Sequence, residues 1–283
     1  MFVENCNAEP YFTPEYLRGN LSKLELSFSA TLAQQLRAVA DLRVTLTEKE
    51  SGLLINGECL AVMREMTEAS VNLILTDLPY GVSQNKWDTV INLEQLWAAF
   101  DRLLKPGGAV VLTATQPFTS ILVASNLKNF KYEWIWEKSI GSGQLNISHQ
   151  PLRKHESVLV FYKNKPTYNE QRKEGVPYSI KRKAVRGDGY GAQANSEKLN
   201  NGYRHASSVL LFPNPRIKNG HPTQKPVALM EYLVKTYTNP GDVVLDCCLG
   251  SGTTAVAAQQ LGRQFVGIEL SEKYYEMAAG RLK

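Results

Sequence analysis

Two short stretches hold residues whose types and spacing could do chemistry. The first is Thr76-Asp77-Leu78-Pro79-Tyr80-Gly81, which puts a carboxylate, a proline and an aromatic ring within four residues. It closes the hydrophobic run Val71-Asn72-Leu73-Ile74-Leu75, which is short and bounded by turn formers and so reads as a buried strand. Pro79 has no N–H to donate, so neighbouring carbonyls can face a ligand. Open α/β sheets bind ligands beyond the carboxyl ends of their strands. Asp77, Pro79 and Tyr80 would there offer an acceptor, a rigid turn and a stacking face, which suits a flat heterocycle bearing an amine. On its own the tetrapeptide serves equally as a structural turn.

The second stretch lies far downstream. Asp246 to Glu269 reads as a strand, the turn Leu249-Gly250-Ser251-Gly252-Thr253-Thr254, a helix, and a second strand tipped by an acid. Gly250 and Gly252 let backbone approach a ligand closely, and the helix start behind them offers unpaired N–H groups. Glu269 follows Gly250 by 19 residues, near the spacing at which an acid grips ribose hydroxyls. The stretch predicts a nucleoside-cofactor site. Gly-x-Gly-x-x-Ala, with Ala255 third, fits a dinucleotide fingerprint only loosely. A dinucleotide fold also begins with this unit, whereas here only one further strand follows. The other strands must come from upstream, so the order is permuted.

The elements that position these residues alternate. Strands are expected at Leu53–Ile55, Val71–Thr76, Ala109–Leu112, Tyr132–Trp136, Val158–Tyr162, Asp242–Cys247 and Gln264–Ile268. Helices are expected at Leu60–Met66, Leu93–Leu104, Phe118–Asn126, Val227–Tyr237, Ala255–Leu261 and Lys273–Leu282. Lys105-Pro106-Gly107-Gly108 is expected to stop the helix before it, and Gly141-Ser142-Gly143 marks a flexible loop. The alternation predicts an α/β fold with a doubly wound, mostly parallel sheet. Residues 1–50 read as an N-terminal extension, with a helical face from Ala30 to Leu46. The expected catalytic half spans 51–163 and the cofactor half 219–283.

Between them, 164–218 loses periodicity and is too long for an ordinary connection. Tyr168, Tyr178, Tyr190 and Tyr203 are interleaved with basic residues, which suits nucleic acid and equally a small β-subdomain. Residues 163–225 hold 13 Lys or Arg against four Asp or Glu, while the rest holds 19 against 23. A basic block on an acidic body points to an anionic partner, with a solvated loop as the alternative. No apolar run approaches the roughly 18 residues of a membrane span. Met1-Phe2-Val3-Glu4 lacks the pattern of a signal peptide, so a cytoplasmic protein is expected. Cys6, Cys59, Cys247 and Cys248 lack metal-ligand spacing, so no metal site is expected and the thiols read as buried and reduced. Cys247 and Cys248 are adjacent in an expected strand and should point to opposite faces.

These motifs, in this order, resemble the amino-group DNA methyltransferases of the permuted "beta" class. The likeness rests on Asn56-Gly57-Glu58-Cys59-Leu60, Asp77-Leu78-Pro79-Tyr80-Gly81, the Leu104-Lys105-Pro106-Gly107-Gly108 turn, Arg153-Lys154-His155-Glu156, His221-Pro222-Thr223-Gln224-Lys225-Pro226, and Asp246-Cys247-Cys248-Leu249-Gly250-Ser251-Gly252-Thr253-Thr254 with Glu269. It covers roughly 52–165 and 219–283, and not residues 1–50 or the insertion. It implies a Rossmann-like methyltransferase sheet of about seven strands, with 164–218 as a target-recognition insertion.

The implied activity is methyl transfer from S-adenosylmethionine to adenine N6 in double-stranded DNA by base flipping. Asp77 and the Pro79 backbone would accept the amine's two N–H groups, and Tyr80 would stack on the base. Glu58, Cys59, Asp77, His221, Thr223, Lys225, Asp246, Gly250, Ser251, Gly252, Thr253 and Glu269 would surround the cofactor. Of these, Thr223 and Lys225 would meet its carboxylate and Glu269 its ribose. The insertion would follow phosphates and read sequence, near the nucleoid. A homodimer and a restriction endonuclease partner are compatible with the family and are not decided by the sequence.

Leu78 stands where the family usually has proline. Asp in the first position leans towards adenine N6, because cytosine-N4 enzymes more often start with Ser. An N4-cytosine enzyme and an inactive DNA-binding relative are the alternatives. An RNA or protein-glutamine methyltransferase fits the order and the basic insertion less well, and an NAD-linked dehydrogenase would be stabilised by NAD instead. His155-Glu156 reads as a salt-bridging pair at a strand edge in preference to a catalytic pair. Trp87 either covers the base pocket or packs in its loop, and His149 and His205 read as surface loop residues.

Overall fold

The computed structural model describes residues 31–37, 44–81, 88–187, 191–215 and 223–282. Trp87 and His221, and most of residues 1–50, lie outside them. A helical run over 31–37 (α1) precedes strands β1 (Thr45–Lys49) and β2 (Gly52–Asn56). The chain continues through α2 (Cys59–Glu65), β3 (Val71–Thr76), α3 (Leu93–Leu103), β4 (Leu104–Ala114) and α4 (Phe118–Ser125). Strands β5 (Phe130–Ser142) and β6 (Arg153–Phe161) form a long hairpin. Six short strands follow: β7 (Lys173–Glu174), β8 (Tyr178–Arg182), β9 (Val185–Gly187), β10 (Gly191–Gln193), β11 (Ser196–Asn200) and β12 (Tyr203–Arg204). Then come β13 (Val209–Phe212), α5 (Val227–Tyr237), β14 (Val243–Asp246), α6 (Thr253–Gln260), β15 (Gln264–Glu269) and α7 (Glu272–Arg281).

Nine strands form one sheet in the order β1-β2-β15-β14-β3-β4-β6-β5-β13. The five from β2 to β4 are mutually parallel. Their side chains alternate between two cores, as the pleat requires. Leu53, Ile55, Val110, Leu112, Val243, Leu245, Val266 and Ile268 pack with α1 to α4 on one face. Leu54, Leu73, Leu75, Ala109, Val111, Val244 and Phe265 pack with α5 to α7 on the other. The sheet is therefore doubly wound. From β14 the chain crosses over α6 to β15, and from β3 it crosses over α3 to β4, in opposite directions and on opposite faces. That reversal opens a crevice between the ends of β14 and β3.

The structure departs from several expectations. The expected helix to Leu46 is helical at 31–37, and Leu46 lies in β1, where Leu46 pairs with Ile55. Lys105-Pro106-Gly107-Gly108 is not a turn outside the sheet. It bulges within β4, whose pairing with β3 jumps from Val71↔Leu104 to Leu73↔Ala109. Edge strands β1 and β13 bring the count above seven, and they come from either side of the expected catalytic half. The basic insertion is ordered as nested antiparallel pairs, β7 with β12, β8 with β11 and β9 with β10, which make one long arm.

Candidate active site

Strand β3 delivers Asp77 and strand β14 delivers Asp246 to the same end of the sheet, because the two strands are hydrogen-bonded neighbours. Thr76 Oγ1 donates to Asp246 Oδ1 at 2.7 Å, so the two distant motifs are joined directly. A cavity of about 330 Å³ lies over this junction. Its lining includes Glu58, Cys59, Asp77, Pro79, Tyr80, Thr223, Lys225, Asp246, Gly250, Ser251, Thr253 and Glu269.

On the β3 side, the Asp77 carboxylate is held at three points. Tyr80 and Thr113 hydroxyls donate to Oδ1, and the Lys225 ammonium to Oδ2. Lys225 also lies 3.4 Å from Glu156, which pairs with Lys138 at 2.5 Å. Burial alone would lower the Lys225 pKa, but the charges of Asp77 and Glu156 outweigh it and leave it raised. Burial, and then the charge of Asp77, push the Tyr80 hydroxyl well up, so it stays a proton donor. The Tyr80 ring is tilted against Phe118 with centroids 5.4 Å apart. Leu78 is 3% exposed and packs into the core face. The departure from proline at that position therefore fills the core.

On the β14 side, Gly250 and Gly252 have φ of 55° and 81°, the left-handed region where glycine avoids a steric penalty. Glu269 closes the turn: Oε2 accepts from Gly250 N at 2.7 Å and Oε1 from Ser271 N at 2.8 Å. A carboxylate has about four acceptor sites, and the Leu270 N–H also faces this one, so it keeps acceptor capacity for ligand hydroxyls. Burial raises the Glu269 pKa, and burial raises that of Asp246 to about 6. Ser251 Oγ donates to Gln224 Oε1 at 2.9 Å, and Arg281 braces Ser251 and Thr253 from α7. Glu58 caps α2, accepting from Leu60 N at 2.9 Å and Ala61 N at 2.7 Å. Gly57 N donates to Glu269 O at 3.0 Å, which sets Glu58 and Cys59 beside the acid.

One expectation changes on the β14 side. Strand β14 ends at Asp246, so Cys247 and Cys248 sit in the following turn and not on opposite strand faces. Cys59 Sγ donates to Glu58 Oε1 at 3.5 Å and Cys247 Sγ to Thr76 Oγ1 at 3.7 Å, and the neighbouring Cys247 and Cys248 thiols lower the Cys59 pKa. Lys225, expected at the cofactor's carboxylate, lines the cavity with Gly250 and Ser251 and contacts Asp77 and Glu156. Thr76, Thr113 and Glu156 complete the site. The expected salt-bridging pair at a strand edge is not what forms: β6 runs between β4 and β5, Glu156 pairs with Lys138 and Lys225 in the cavity wall, and His155 is exposed. Among the described residues, no group of three or more His, Cys, Asp or Glu is arranged to hold a metal ion.

An acid-tipped strand, a glycine turn and a permuted doubly wound sheet define a Rossmann-like methyltransferase with a nucleoside cofactor. The chain belongs to the DNA methylase family, whose sequence model matches residues 71–280. It is 30% identical over 246 residues to the type II methyltransferase M1.MboII of Moraxella bovis, covering 78% of this chain and 92% of that one. It is 29% identical over 249 residues to the DNA adenine methyltransferase YhdJ of Escherichia coli K12, covering 82% and 83%. Its fold matches the M1.HpyAVI–SAM complex with a TM-score of 0.57 and 26% identity, over 81% of this chain and 98% of that one. The family's cofactor is S-adenosylmethionine. The cavity fits it: the spare acceptor sites of Glu269 match ribose hydroxyls, and the glycine turn leaves room for a chain beside it. Among the described residues no helix is long and apolar enough to cross a membrane.

Proposed function

We propose that this protein methylates the exocyclic N6 of adenine in duplex DNA, taking the base out of the helix to reach it. The observation that carries the reading is the junction of the two motifs in one cavity, with Thr76 bonded to Asp246. S-adenosylmethionine, when bound, supplies a methyl group on a positively charged sulfur, which an amine can attack directly. The remaining work falls to the chain. Asp77 and the Pro79 carbonyl accept the two amine N–H groups and so localise the nitrogen lone pair. Tyr80 stacks on the base and steadies Asp77. Positioning and lone-pair localisation suffice, without a covalent nucleophile.

Glu269 holds the ribose, Glu58 and Cys59 flank the adenine of the cofactor, and Gly250 to Thr253 carry its amino-acid part, with Asp246 and Thr223 beside it. Lys225 acts on Asp77, the carboxylate that receives the amine, in preference to the cofactor's carboxylate. Its ammonium faces both Asp77 and Glu156. The arm from β7 to β12 is the target-recognition region. Adenine is favoured over cytosine by Asp77 in the first position and by the name of the Escherichia coli relative.

The test is incubation with labelled S-adenosylmethionine and unmethylated genomic DNA, followed by single-molecule sequencing and mass spectrometry of the nucleosides. N6-methyladenine in one sequence context is the expected product. N4-methylcytosine would overturn the base assignment, and no labelled DNA would overturn the activity. Asp77→Ala should abolish transfer with cofactor binding retained; transfer at the normal rate would remove Asp77 from its role.

A further inference from the structure

The tip of the β5–β6 hairpin is apolar, ordered and exposed. Ser142 pairs with Arg153 as the last rung. Beyond it, Gly143 takes φ of 95° and a 3-10 turn spans Gln144–Asn146. Asn146 N donates to Gly143 O at 2.9 Å, and His149 N and Gln150 N to Asn146 O at 3.0 Å. Gln144 Nε2 donates to Gly141 O at 2.8 Å. This turn presents Leu145 at 97% exposure and Ile147 at 66%, with Ile140 at 59% and Leu152 at 46% on its arms. A single exposed aliphatic side chain needs no explanation, whereas four on one hairpin tip mark a contact surface.

The hairpin also builds the active site. Three residues beyond Arg153, Glu156 reaches Lys225 at 3.4 Å. Arg153 Nη1 donates to Thr115 Oγ1 at 3.1 Å, two residues from the Thr113 that bonds Asp77. Val158 pairs with the Thr113 that bonds Asp77, and the last rung at Arg153 is five residues further along, so at about 3.3 Å per strand residue the tip stands roughly 20–25 Å from Asp77, about the width of one duplex. Residues 139–152 contain no acid, and Arg153 and Lys154 flank them. An aliphatic apex with polar neighbours and basic shoulders is the chemistry of a side chain that enters a stacked, anionic helix.

We propose that Leu145 is a positioning residue that enters the base stack at the step vacated by the target adenine, holding the flipped state open. The proposal rests on the base-flipping reading above. Leu145 touches no cofactor and no reacting atom. Its effect should therefore vanish on DNA whose target is already unpaired.

The experiment compares the wild type, Leu145→Ala and Leu145→Phe in single-turnover methyl transfer. One substrate is a duplex carrying the site mapped by sequencing; the other has the target opposite a mismatch. Leu145→Ala should be about tenfold slower on the paired duplex and about equal to wild type on the mismatched one. Leu145→Phe should keep wild-type rates on both. With 2-aminopurine at the target, the fluorescence rise on binding should be lost for Leu145→Ala only.

An unimpaired Leu145→Ala on paired DNA would overturn the proposal, and so would equal slowing on both substrates. A loss of rate that tracks a change from dimer to monomer on a sizing column would assign the tip to contact between copies instead. If the wild type is active yet shows no 2-aminopurine rise, the base-flipping reading itself fails. If it is active and the variants are indifferent, only the role of Leu145 fails.

Discussion

Lys225 ties together the two carboxylates on the β3 side of the site. Its side chain is 8% exposed and faces two carboxylates, Asp77 and Glu156. Removing one member of a buried ion pair costs about 3–5 kcal/mol, because the partner is left charged and dry. Lys225→Met should therefore lower stability by about 3 kcal/mol at pH 8. Thermal unfolding of the variant beside the wild type reads the difference. In the wild type the Lys225 pKa is raised, so its stabilising contribution is fully present below the ordinary lysine range and is lost only as pH rises through the raised value. Asp246 behaves oppositely. Burial raises it from 3.8 to about 6, so the folded state holds its proton more tightly than the unfolded chain does. Its cost sets in as pH rises above 3.8 and is complete above about 6. Each tenfold gain in proton affinity on folding corresponds to about 1.4 kcal/mol. Asp246→Asn should thus gain up to about 3 kcal/mol relative to wild type between pH 4 and pH 7.5. A melting-temperature difference that stays flat across this range would contradict the buried, proton-holding state of Asp246.

The turn between β14 and α6 decides whether the cofactor side of the cavity can form. Gly252 combines φ of 81° with a close approach to α7: a Cβ there would lie 2.9 Å from Ala278 Cβ and 3.2 Å from its Cα. Gly252→Ala should destabilise by about 1–2 kcal/mol from backbone conformation alone, and the contact adds to it. It should also weaken S-adenosylmethionine binding in calorimetry, because relief requires α7 to shift and Arg281 of α7 braces Ser251 and Thr253. Wild-type affinity and melting temperature would show the turn to be tolerant. This turn and the Asp77 tip were legible in the sequence because each is local: a hydrophobic run, then residues with special backbone or side-chain chemistry. The helices α3 and α5 were legible for the same reason, through their apolar spacing. What the sequence did not show is nearly all long-range. Lys225 meets Asp77 across 148 residues and Thr76 meets Asp246 across 170, pairings that exist only once β14 lies beside β3. The bulge at Lys105 to Gly108 was hidden because Pro and Gly signal a turn whether or not a neighbouring strand absorbs it. The strands of the arm were hidden because no buried face imposes alternation: β8 and β11 expose nearly every residue.

At the scale of the molecule, charge is divided. The stretch 163–225 carries 13 basic against four acidic residues, and the remainder is net acidic. The arm places part of that charge on a thin two-stranded element away from the acidic body. Lys181, Arg182 and Lys183 are all exposed on it, and Lys181 has a loose partner in Glu197 at 3.6 Å. Each cation that neutralises a phosphate releases counterions, so the logarithm of the association constant falls with the logarithm of salt by about 0.9 per contact. Replacing Lys181, Arg182 and Lys183 with alanine should therefore reduce the salt slope of duplex binding by about 2–3. These side chains are solvated and join neither core, so melting temperature and S-adenosylmethionine affinity should hold. Anisotropy titrations of a fluorescent duplex across a series of KCl concentrations measure the slope. An unchanged slope would move the anion-binding face off the arm and onto the Arg153–Lys154 shoulder of the cavity. The arm would then select sequence without supplying the bulk of the affinity.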